Sequence, residues 1–401
     1  MVAPNLGLTV IPAVSVRTPR ENLLAHVPSA GSRGRKGPMQ LIDNPNIKYG
    51  FTTRAVPLEE MARVTPMYAP PRIGDLVLVE VLDLGRHNRM EVRTGLTMHL
   101  FPGDHIVGAF GNRYATDQYE GYVPTRPVEG CDLLSVGGVC GEVASQHASM
   151  VVDPTRLRIL GLVSDKYGRP INQRTFGLPS HAAGERLESS AEVILVVGSA
   201  MNSGKTTTAG TLARALSRAN FSVAAGKITG TAAGKDGRFY EACGARPVLD
   251  FTSAGYPSTY MLSLEELLGI YNSILGNLRA ANPDYIILEI ADGILQRETR
   301  MLLESAEFRR SADHVFFAAG DSLSVESGVR SIREYGLPLR ATAGSVTQSP
   351  LASREAEEAL GVPCMNTERI MDGTLKEVLG TGRALEWSAR DDVFAPTEEV
   401  A

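Results

Sequence analysis

The feature that most constrains the fold is the segment 198–206, which reads GSAMNSGKT and lies between two regular elements. The apolar run 193–197 before it predicts a buried strand, and residues 206–219 after it carry apolar side chains at helical spacing. A glycine-rich loop that joins a strand to a helix directs backbone N–H groups and the helix N-terminus at one point, which favours phosphate binding. The chain is therefore expected to contain a strand–loop–helix unit of an α/β domain.

The residues of this loop have distinct roles in phosphate binding. Gly204 allows close approach of the backbone, Lys205 can reach the β- and γ-phosphates, and the Thr206 hydroxyl can ligate Mg²⁺. We therefore expect ATP and Mg²⁺ as cofactors, with the choice between ATP and GTP left open. The predicted nucleotide-binding residues are Gly198, Ser199, Asn202, Ser203, Gly204, Lys205, Thr206 and Thr207.

Strands and helices continue to alternate after the loop. Apolar runs predict four more strands, and helical spacing with capping residues predicts two more helices. This alternation predicts an α/β fold in which helices cover both faces of a mostly parallel sheet. Together with the glycine-rich loop, it predicts a P-loop NTPase domain. The predicted strands are 222–225, 285–290, 314–318 and 339–343, and the predicted helices are 264–278 and 353–360.

Residues 1–180 show a different sequence pattern. Short apolar and β-branched runs separated by Gly and Pro predict a small β-rich domain, a barrel or a sandwich. Frequent prolines before residue 71 forbid long helices and predict an irregular arm. The β-rich runs are 76–81, 91–98, 105–110 and 137–143. The predicted organisation is an arm at 1–70, a β-rich domain at 71–180, a linker at 181–191 and the P-loop domain at 192–401.

Polar side chains near the ends of predicted strands are candidates for chemistry. Lys227 follows a short strand, where a lysine can stabilise the charge of a transferred phosphoryl group. Glu289 ends an apolar strand, where a carboxylate needs a partner such as a metal ion. Asp292 at the same strand exit can orient water or a substrate group, and Asp236 is either a ligand or a turn residue. The predicted catalytic residues are Lys205, Lys227 and Asp292, and the predicted metal ligands are Thr206, Glu289 and Asp236.

The loop resembles that of the dethiobiotin synthetase class, which includes the cobyrinic acid a,c-diamide synthases and MobB-type nucleotide-binding proteins. Either Ser199 replaces the first glycine of the usual phosphate-loop pattern, or five residues separate Gly198 from Gly204. The longer spacing is that of the family's Gly-Thr-Asp-Thr-x-x-Gly-Lys-Thr loop. Segment 226–230 (GKITG) is similar to the family's Lys-Pro-Val-x-Thr-Gly, and segment 288–293 (LEIADG) to its Val-Glu-Gly-Ala-Gly-Gly. The resemblance covers residues 192–370. It implies that Lys227 lies by the reacting carboxyl and phosphate groups and that Glu289 helps to hold Mg²⁺.

Other polar segments have open roles. Residues 344–350 either contact a purine base or form an ordinary turn. Residues 111–121 either recognise a polar ligand or dock against the P-loop domain. Lys235 and Arg238 can bind an anionic substrate, and Asp250 is an alternative acidic ligand. The polar side chains singled out in segment 111–121 are Arg113, Tyr114, Asp117, Gln118 and Tyr119.

Composition weighs against several classes of protein. Forty Lys and Arg residues oppose 45 Asp and Glu residues, and the formal net charge of −5 disfavours nucleic acid as the main partner. No apolar run approaches the roughly 18–20 residues that span a bilayer, so no membrane segment is expected. The four cysteines lack zinc-finger spacing, and a reduced cytoplasmic setting is expected.

The leading interpretation is an ATP–Mg²⁺-dependent ligase or kinase of the dethiobiotin synthetase-like class, acting on a small substrate such as a carboxylate. One alternative is a regulatory or assembly NTPase acting on a protein partner. Another is a 5′-hydroxyl polynucleotide kinase, which would recruit the basic residues of the arm. The identity of the acceptor and the oligomeric state, a homodimer included, stay open. The basic residues of the arm are Arg17, Arg20, Arg33, Arg35 and Lys36.

Overall fold

The computed structural model describes residues 46–179 and 190–380. The five basic residues of the predicted arm, most of the predicted linker and residues 381–401 lie outside the described residues. None of the helices in the described ranges combines the length and the apolar character needed to cross a membrane.

The first part of the chain is built from strands and short 3₁₀ turns. The turns lie at Phe51–Ala55, Leu58–Glu60 and Gln173–Phe176. The strands are β1 (Ile47–Tyr49), β2 (Arg63–Thr65), β3 (Leu76–Asp83), β4 (Arg89–Glu91), β5 (Thr97–His99), β6 (His105–Phe110), β7 (Tyr119–Tyr122), β8 (Gly130–Leu133), β9 (Val139–Gln146) and β10 (Thr155–Ser164).

Five of these strands close into a barrel. Strands β6, β3, β10, β8 and β9 are antiparallel neighbours in that order, and β9 then pairs in parallel with β6 through Ala109 and Val139. Along β3, Val77 and Val79 belong to one buried apolar cluster, and Leu76 and Leu78 belong to another. Since both faces of β3 are buried, its sequence shows no polar alternation. Of the two predicted architectures, the barrel is the one observed.

Two features of this part differ from the prediction. The single strand expected at 91–98 is wrong, because β4 and β5 form a hairpin around Gly95, whose φ of +86° suits a turn. The segment expected to be irregular contains β1, which pairs with β6, and β2, which pairs with β10. Its apolar residues Ile47, Val56 and Met61 are buried against the outer face of the barrel, which holds the segment in place.

The second part alternates strands and helices. Its strands are β11 (Glu192–Gly198), β12 (Val223–Lys227), β13 (Val248–Asp250), β14 (Tyr285–Glu289), β15 (His314–Ala318) and β16 (Leu339–Ala343). Its helices are α1 (Lys205–Arg218), α2 (Lys235–Ala242), α3 (Leu264–Ala280), α4 (Arg297–Glu304), α5 (Ala306–Arg309), α6 (Ser322–Glu334), α7 (Pro350–Leu360), α8 (Thr367–Met371) and α9 (Thr374–Leu379).

The six strands form one parallel sheet in the order β13-β12-β14-β11-β15-β16. Buried apolar clusters lie on both faces, one including α3, α4 and α6 and the other including α1. The mostly parallel α/β sheet predicted from the sequence is confirmed. Because parallel strands share one carboxyl edge, the loops after β11, β12 and β14 meet there.

Within the described residues of this part, local signals located five of the six strands but only three of the nine helices. Strands β15 and β16 have the predicted bounds, and Ser263 caps α3 in a capping box with Glu266. Asp236, for which the sequence left open a role as a turn residue, lies in a helix. It lies in the first turn of α2, where an acidic side chain complements the helix dipole.

The barrel and the parallel sheet contact each other through buried and partly buried polar pairs. Glu91, 3% exposed, accepts a hydrogen bond from the Gly234 N–H at 2.7 Å and pairs with Arg238. Arg54 pairs with Asp250 at 2.7 Å. These contacts place the hairpin and the N-terminal segment beside the carboxyl edge of the parallel sheet.

Candidate nucleotide-binding site

The loop between β11 and α1 has a backbone that its sequence explains. Gly204 has a φ of +97°, and a Cβ there would lie 2.7 Å from the Cα of Gly344. Only glycine avoids both the unfavourable φ and this contact. Asn202 also has a positive φ, 64°, a conformation that asparagine tolerates better than most residues. The loop is therefore packed closely against the turn that follows β16.

Lys205 begins α1 and is 5% exposed. Its Nζ donates to the carbonyl of Ala200 at 2.7 Å and lies 3.5 Å from the Ser203 Oγ. An ammonium group carries three N–H donors, so these contacts leave one for a ligand. Burial lowers the pKa of Lys205, and the carboxylates of Glu289 and Asp292 oppose that shift.

Glu289 joins the loop to the neighbouring strand. It is 2% exposed, and its Oε1 accepts a hydrogen bond from the Thr206 hydroxyl at 3.2 Å. Its Oε2 accepts a hydrogen bond from the Tyr240 hydroxyl. Burial, and then the adjacent Glu289, raise the pKa of Tyr240 well above its usual value, so the phenol remains a donor. Two oxygen atoms, a hydroxyl and a carboxylate, thus converge at the start of α1.

Lys227 stands between two carboxylates. Strand register places it directly beside Glu289, with Nζ 3.3 Å from Oε1, and it also pairs with Asp236. Burial would lower the pKa of Lys227, but Glu289 and Asp236 together raise it above its usual value. The structure therefore brings together the predicted metal ligands Thr206, Glu289 and Asp236 around one lysine.

Asp292 is the third predicted catalytic residue and lines the same space. Its φ of 61° is unusual for a non-glycine residue. Burial raises the pKa of Asp292 to about 6, against the opposing effect of Lys205 and Lys227. A carboxyl group with a pKa close to neutrality is suited to exchange a proton with a substrate or water.

The donor set fits Mg²⁺ better than a transition metal. Within the described residues, no group of three or more His, Cys, Asp or Glu side chains could hold a metal ion. Mg²⁺ is commonly held by one or two protein oxygens together with phosphates and water. The Thr206 hydroxyl and the Glu289 carboxylate supply such a pair.

The site opens into a cleft of about 760 Å³ that both sheets line. One side, here called the loop wall, comprises Asn202, Gly204, Lys205, Thr206, Thr207, Lys227, Asp236, Glu289, Asp292 and Ser345. The opposite side, here called the barrel wall, comprises Arg86, His87, Arg113, Tyr114, Asp117 and Gln118. Asn202 of the loop donates to the Asp117 carboxylate at 3.1 Å, so the two walls touch.

Other predicted residues take different positions. Ser199 lies at the base of the loop, where its N–H donates to the Ala318 carbonyl at 2.9 Å. Tyr119 is buried, and its hydroxyl donates to the Val152 carbonyl. Lys235 lines the cleft, whereas Arg238 and Asp250 form the contacts between barrel and sheet described above. Arg238 and Asp250 are thus structural in this arrangement.

Sequence reasoning missed Tyr240 and the barrel residues Arg86 and His87. Tyr240 lies four residues after Asp236, and a helix over this segment would have put both side chains on one face. No local signal pointed to Arg86 or His87, because only the closure of the barrel turns the β3–β4 connection towards the loop.

No family model matches the chain, and no curated protein matches it. Among solved structures, the chain is similar to the signal recognition particle receptor FtsY from Elizabethkingia anophelis in complex with GDP. The two sequences are 19% identical, the match covers 41% of this chain and 51% of that chain, and the TM-score is 0.29. It is also similar to a DUF1611-family protein from Anabaena variabilis, with 14% identity, 51% and 61% covered, and a TM-score of 0.36. The chain thus matches less than two thirds of the length of either structure. Similarity at this level supports no conclusion about function.

Proposed function

We propose that this chain is an ATP–Mg²⁺-dependent enzyme of the dethiobiotin synthetase-like class that phosphorylates a small acceptor, such as a carboxylate. The observation that carries the proposal is the convergence of Lys205, Thr206, Lys227 and Glu289 at the carboxyl edge of the parallel sheet. Such a convergence of lysines and metal-binding oxygens around a glycine-rich loop serves phosphoryl transfer.

The loop residues would hold the nucleotide. The first turn of a helix leaves backbone N–H groups without intrahelical partners, so the start of α1 can bind phosphate oxygens, together with Lys205. Thr206 and Glu289 would hold Mg²⁺, which when bound neutralises charge on the phosphates.

Lys227 and Asp292 would act on the acceptor side. In the proposed reaction a carboxylate oxygen of the acceptor forms a bond to the γ-phosphorus, and the bond from that phosphorus to the β–γ bridging oxygen breaks. The products are an acyl phosphate and ADP, with no net proton released. Lys227 would stabilise the charge on the transferred group. Asp292 would position the acceptor or take a proton in a later step.

The test is ATP and GTP consumption by the full chain, with and without Mg²⁺, in the presence of carboxylates, amines and 5′-hydroxyl oligonucleotides. We expect Mg²⁺-dependent turnover that rises with one class of small acceptor and is lost in Lys205→Ala. Absence of any Mg²⁺–nucleotide binding by the unaltered protein would refute the proposal. Stimulation by oligonucleotides alone would favour the polynucleotide kinase.

A regulatory NTPase is the second candidate, and the contact between Asn202 and Asp117 favours it. Through this contact, a change in the loop on nucleotide hydrolysis would be felt by the barrel. This candidate predicts slow basal hydrolysis that no small acceptor stimulates and that a protein partner accelerates. The same acceptor panel therefore separates the two candidates.

A further inference from the structure

The barrel wall carries a buried cation that the proposed phosphoryl transfer does not use. Arg113 is 8% exposed and lines the cleft. Its Nη2 donates to the Gln118 Oε1 at 2.7 Å, and its Nη1 lies 2.8 Å from the His87 Nε2. The Nε atom is buried and has no hydrogen-bond partner among the residues that the structure describes.

No carboxylate in residues 46–179 or 190–380 forms an ion pair with Arg113. The nearest acid in sequence, Asp117, instead accepts a hydrogen bond from Asn202. A buried guanidinium without an ion-pair partner is costly, because burial removes its hydration and the more distant carboxylates of Asp117 and Asp292 compensate only in part. An arginine held in this state beside a cleft points to an anion supplied by a ligand.

The neighbours of Arg113 do not remove its charge. Burial lowers the pKa of Arg113 to about 10, so the side chain stays protonated at neutral pH. Burial, and then Arg113 itself, lower the pKa of His87 to about 3, so the imidazole is neutral. Arg86, which is exposed, lines the same part of the cleft and adds a second positive charge. The two arginines outnumber the one carboxylate of this wall, Asp117, so the barrel wall carries a net positive charge.

We propose that Arg113, assisted by Arg86, binds an anionic group of the small acceptor, in the class of carboxylic acids, and holds that acceptor opposite the phosphate-binding loop. This inference rests on the proposed function. The nucleotide has its own cationic groups on the loop wall, in Lys205 and the start of α1. The cationic groups of the barrel wall remain for the second substrate, and the cleft volume lies within the upper range for ligand sites.

The experiment is calorimetric titration of the full chain saturated with Mg²⁺–ADP, using acetate, succinate and inorganic phosphate as separate probes. We expect at least one of these anions to bind, and Arg113→Met to weaken its binding 10-fold or more. Arg86→Met, at an exposed position, should weaken it about threefold. Arg113→Lys keeps the charge and should have an intermediate effect, provided that its circular dichroism spectrum matches the unaltered protein.

The matched control is Arg126→Met, because Arg126 lies in the barrel but pairs with Glu142 on the surface. It should leave anion binding unchanged. Preference for acetate or succinate supports a carboxylate acceptor, and preference for inorganic phosphate supports binding of an anion but overturns the assignment to carboxylic acids.

Three outcomes would overturn the inference. The first is that none of the three anions binds. The second is that Arg113→Met and Arg86→Met bind the anion as tightly as the unaltered chain does. The third is that Arg113→Met weakens binding of Mg²⁺–ADP instead of the anion. Failure of the proposed function has a different signature, since the unaltered chain would then not bind Mg²⁺–ADP. In that case, titration of the nucleotide-free chain still decides whether an anion binds at Arg113.

Discussion

The two walls of the cleft differ in whether a buried cation has an ion-pair partner. On the loop wall, Lys227 is paired with both Glu289 and Asp236, so its buried positive charge is compensated. On the barrel wall, Arg113 has polar neighbours but no ion pair within the described residues. A compensated cluster can be maintained by the fold alone, whereas an uncompensated buried cation destabilises the fold unless a ligand offsets it. The loop wall is therefore preorganised, and the barrel wall is the side that gains most from a ligand. Substitutions on each wall test this contrast.

The largest effect is expected for Lys205→Ala on the loop wall. Under the proposed function, Lys205→Ala removes the ammonium group that would face the phosphates, and it should lower nucleotide turnover about 100- to 1,000-fold. In the structure this group contacts Ala200 and Ser203. Turnover and binding of a fluorescent ATP analogue measure the effect. Lys166→Ala, at an exposed position of the barrel, is the control. Equal turnover in the two variants would contradict the role of the loop.

A smaller effect is expected for Glu289→Gln. The amide keeps the size of the side chain but removes the negative charge beside Thr206 and Lys227. Turnover at limiting Mg²⁺ should fall about 10- to 100-fold, and part of the loss should be recovered at high Mg²⁺. A Mg²⁺ titration of turnover measures this, with Glu326→Gln on the surface of α6 as the control. A loss independent of Mg²⁺ would argue against a metal ligand at this position.

Asp292→Asn tests whether the loop wall also contains a buried charge that destabilises the fold. The pKa of Asp292 is raised from its usual value of 3.8 to about 6 in the folded protein. The contribution of this carboxyl group to folding stability is therefore fully present below pH 3.8 and is lost as the pH rises through about 6. The side chain is partly exposed, and we expect the loss to be about 1–2 kcal/mol between pH 4.5 and 7.5.

Urea unfolding in metal-free buffer at the two pH values measures this contribution. The unaltered protein should lose stability relative to Asp292→Asn as pH rises, and the exposed control Asp83→Asn should track the unaltered protein. An unchanged difference between the unaltered protein and Asp292→Asn would mean that burial does not shift this carboxyl group.

The smallest effect is expected for Asp117→Ala, which should strengthen anion binding rather than weaken it. Asp117 lies close enough to raise the pKa of Arg113, against the larger effect of burial, without forming an ion pair. Removing its negative charge from the barrel wall should tighten binding of a small anion about two- to threefold. Calorimetry with the Mg²⁺–ADP complex measures the change. Weaker anion binding in this variant would show that the contact of Asp117 with Asn202 matters more than its charge.

Much of the parallel sheet could be predicted because its signals are local. The apolar runs of β11, β14 and β15 are buried on both faces, so each stands out from its neighbours in the sequence. The barrel was harder to predict, since its strands are short and its register is set by distant partners. Helix α2 was missed because its eight residues have little apolar periodicity and because Gly234 caps it and Gly237 lies in its first turn.

The amino-acid sequence alone predicted a glycine-rich loop between β11 and α1, and lysine and carboxylate side chains at the ends of the neighbouring strands. Only the tertiary structure decided which of these groups meet. Lys227 and Glu289 are 62 residues apart in the chain, and parallel register sets them side by side. Arg113 faces the loop because the barrel closes through β6 and β9 and packs on the sheet edge. Local patterns encode helices and strands, whereas register and closure depend on contacts between distant segments, which no local pattern records.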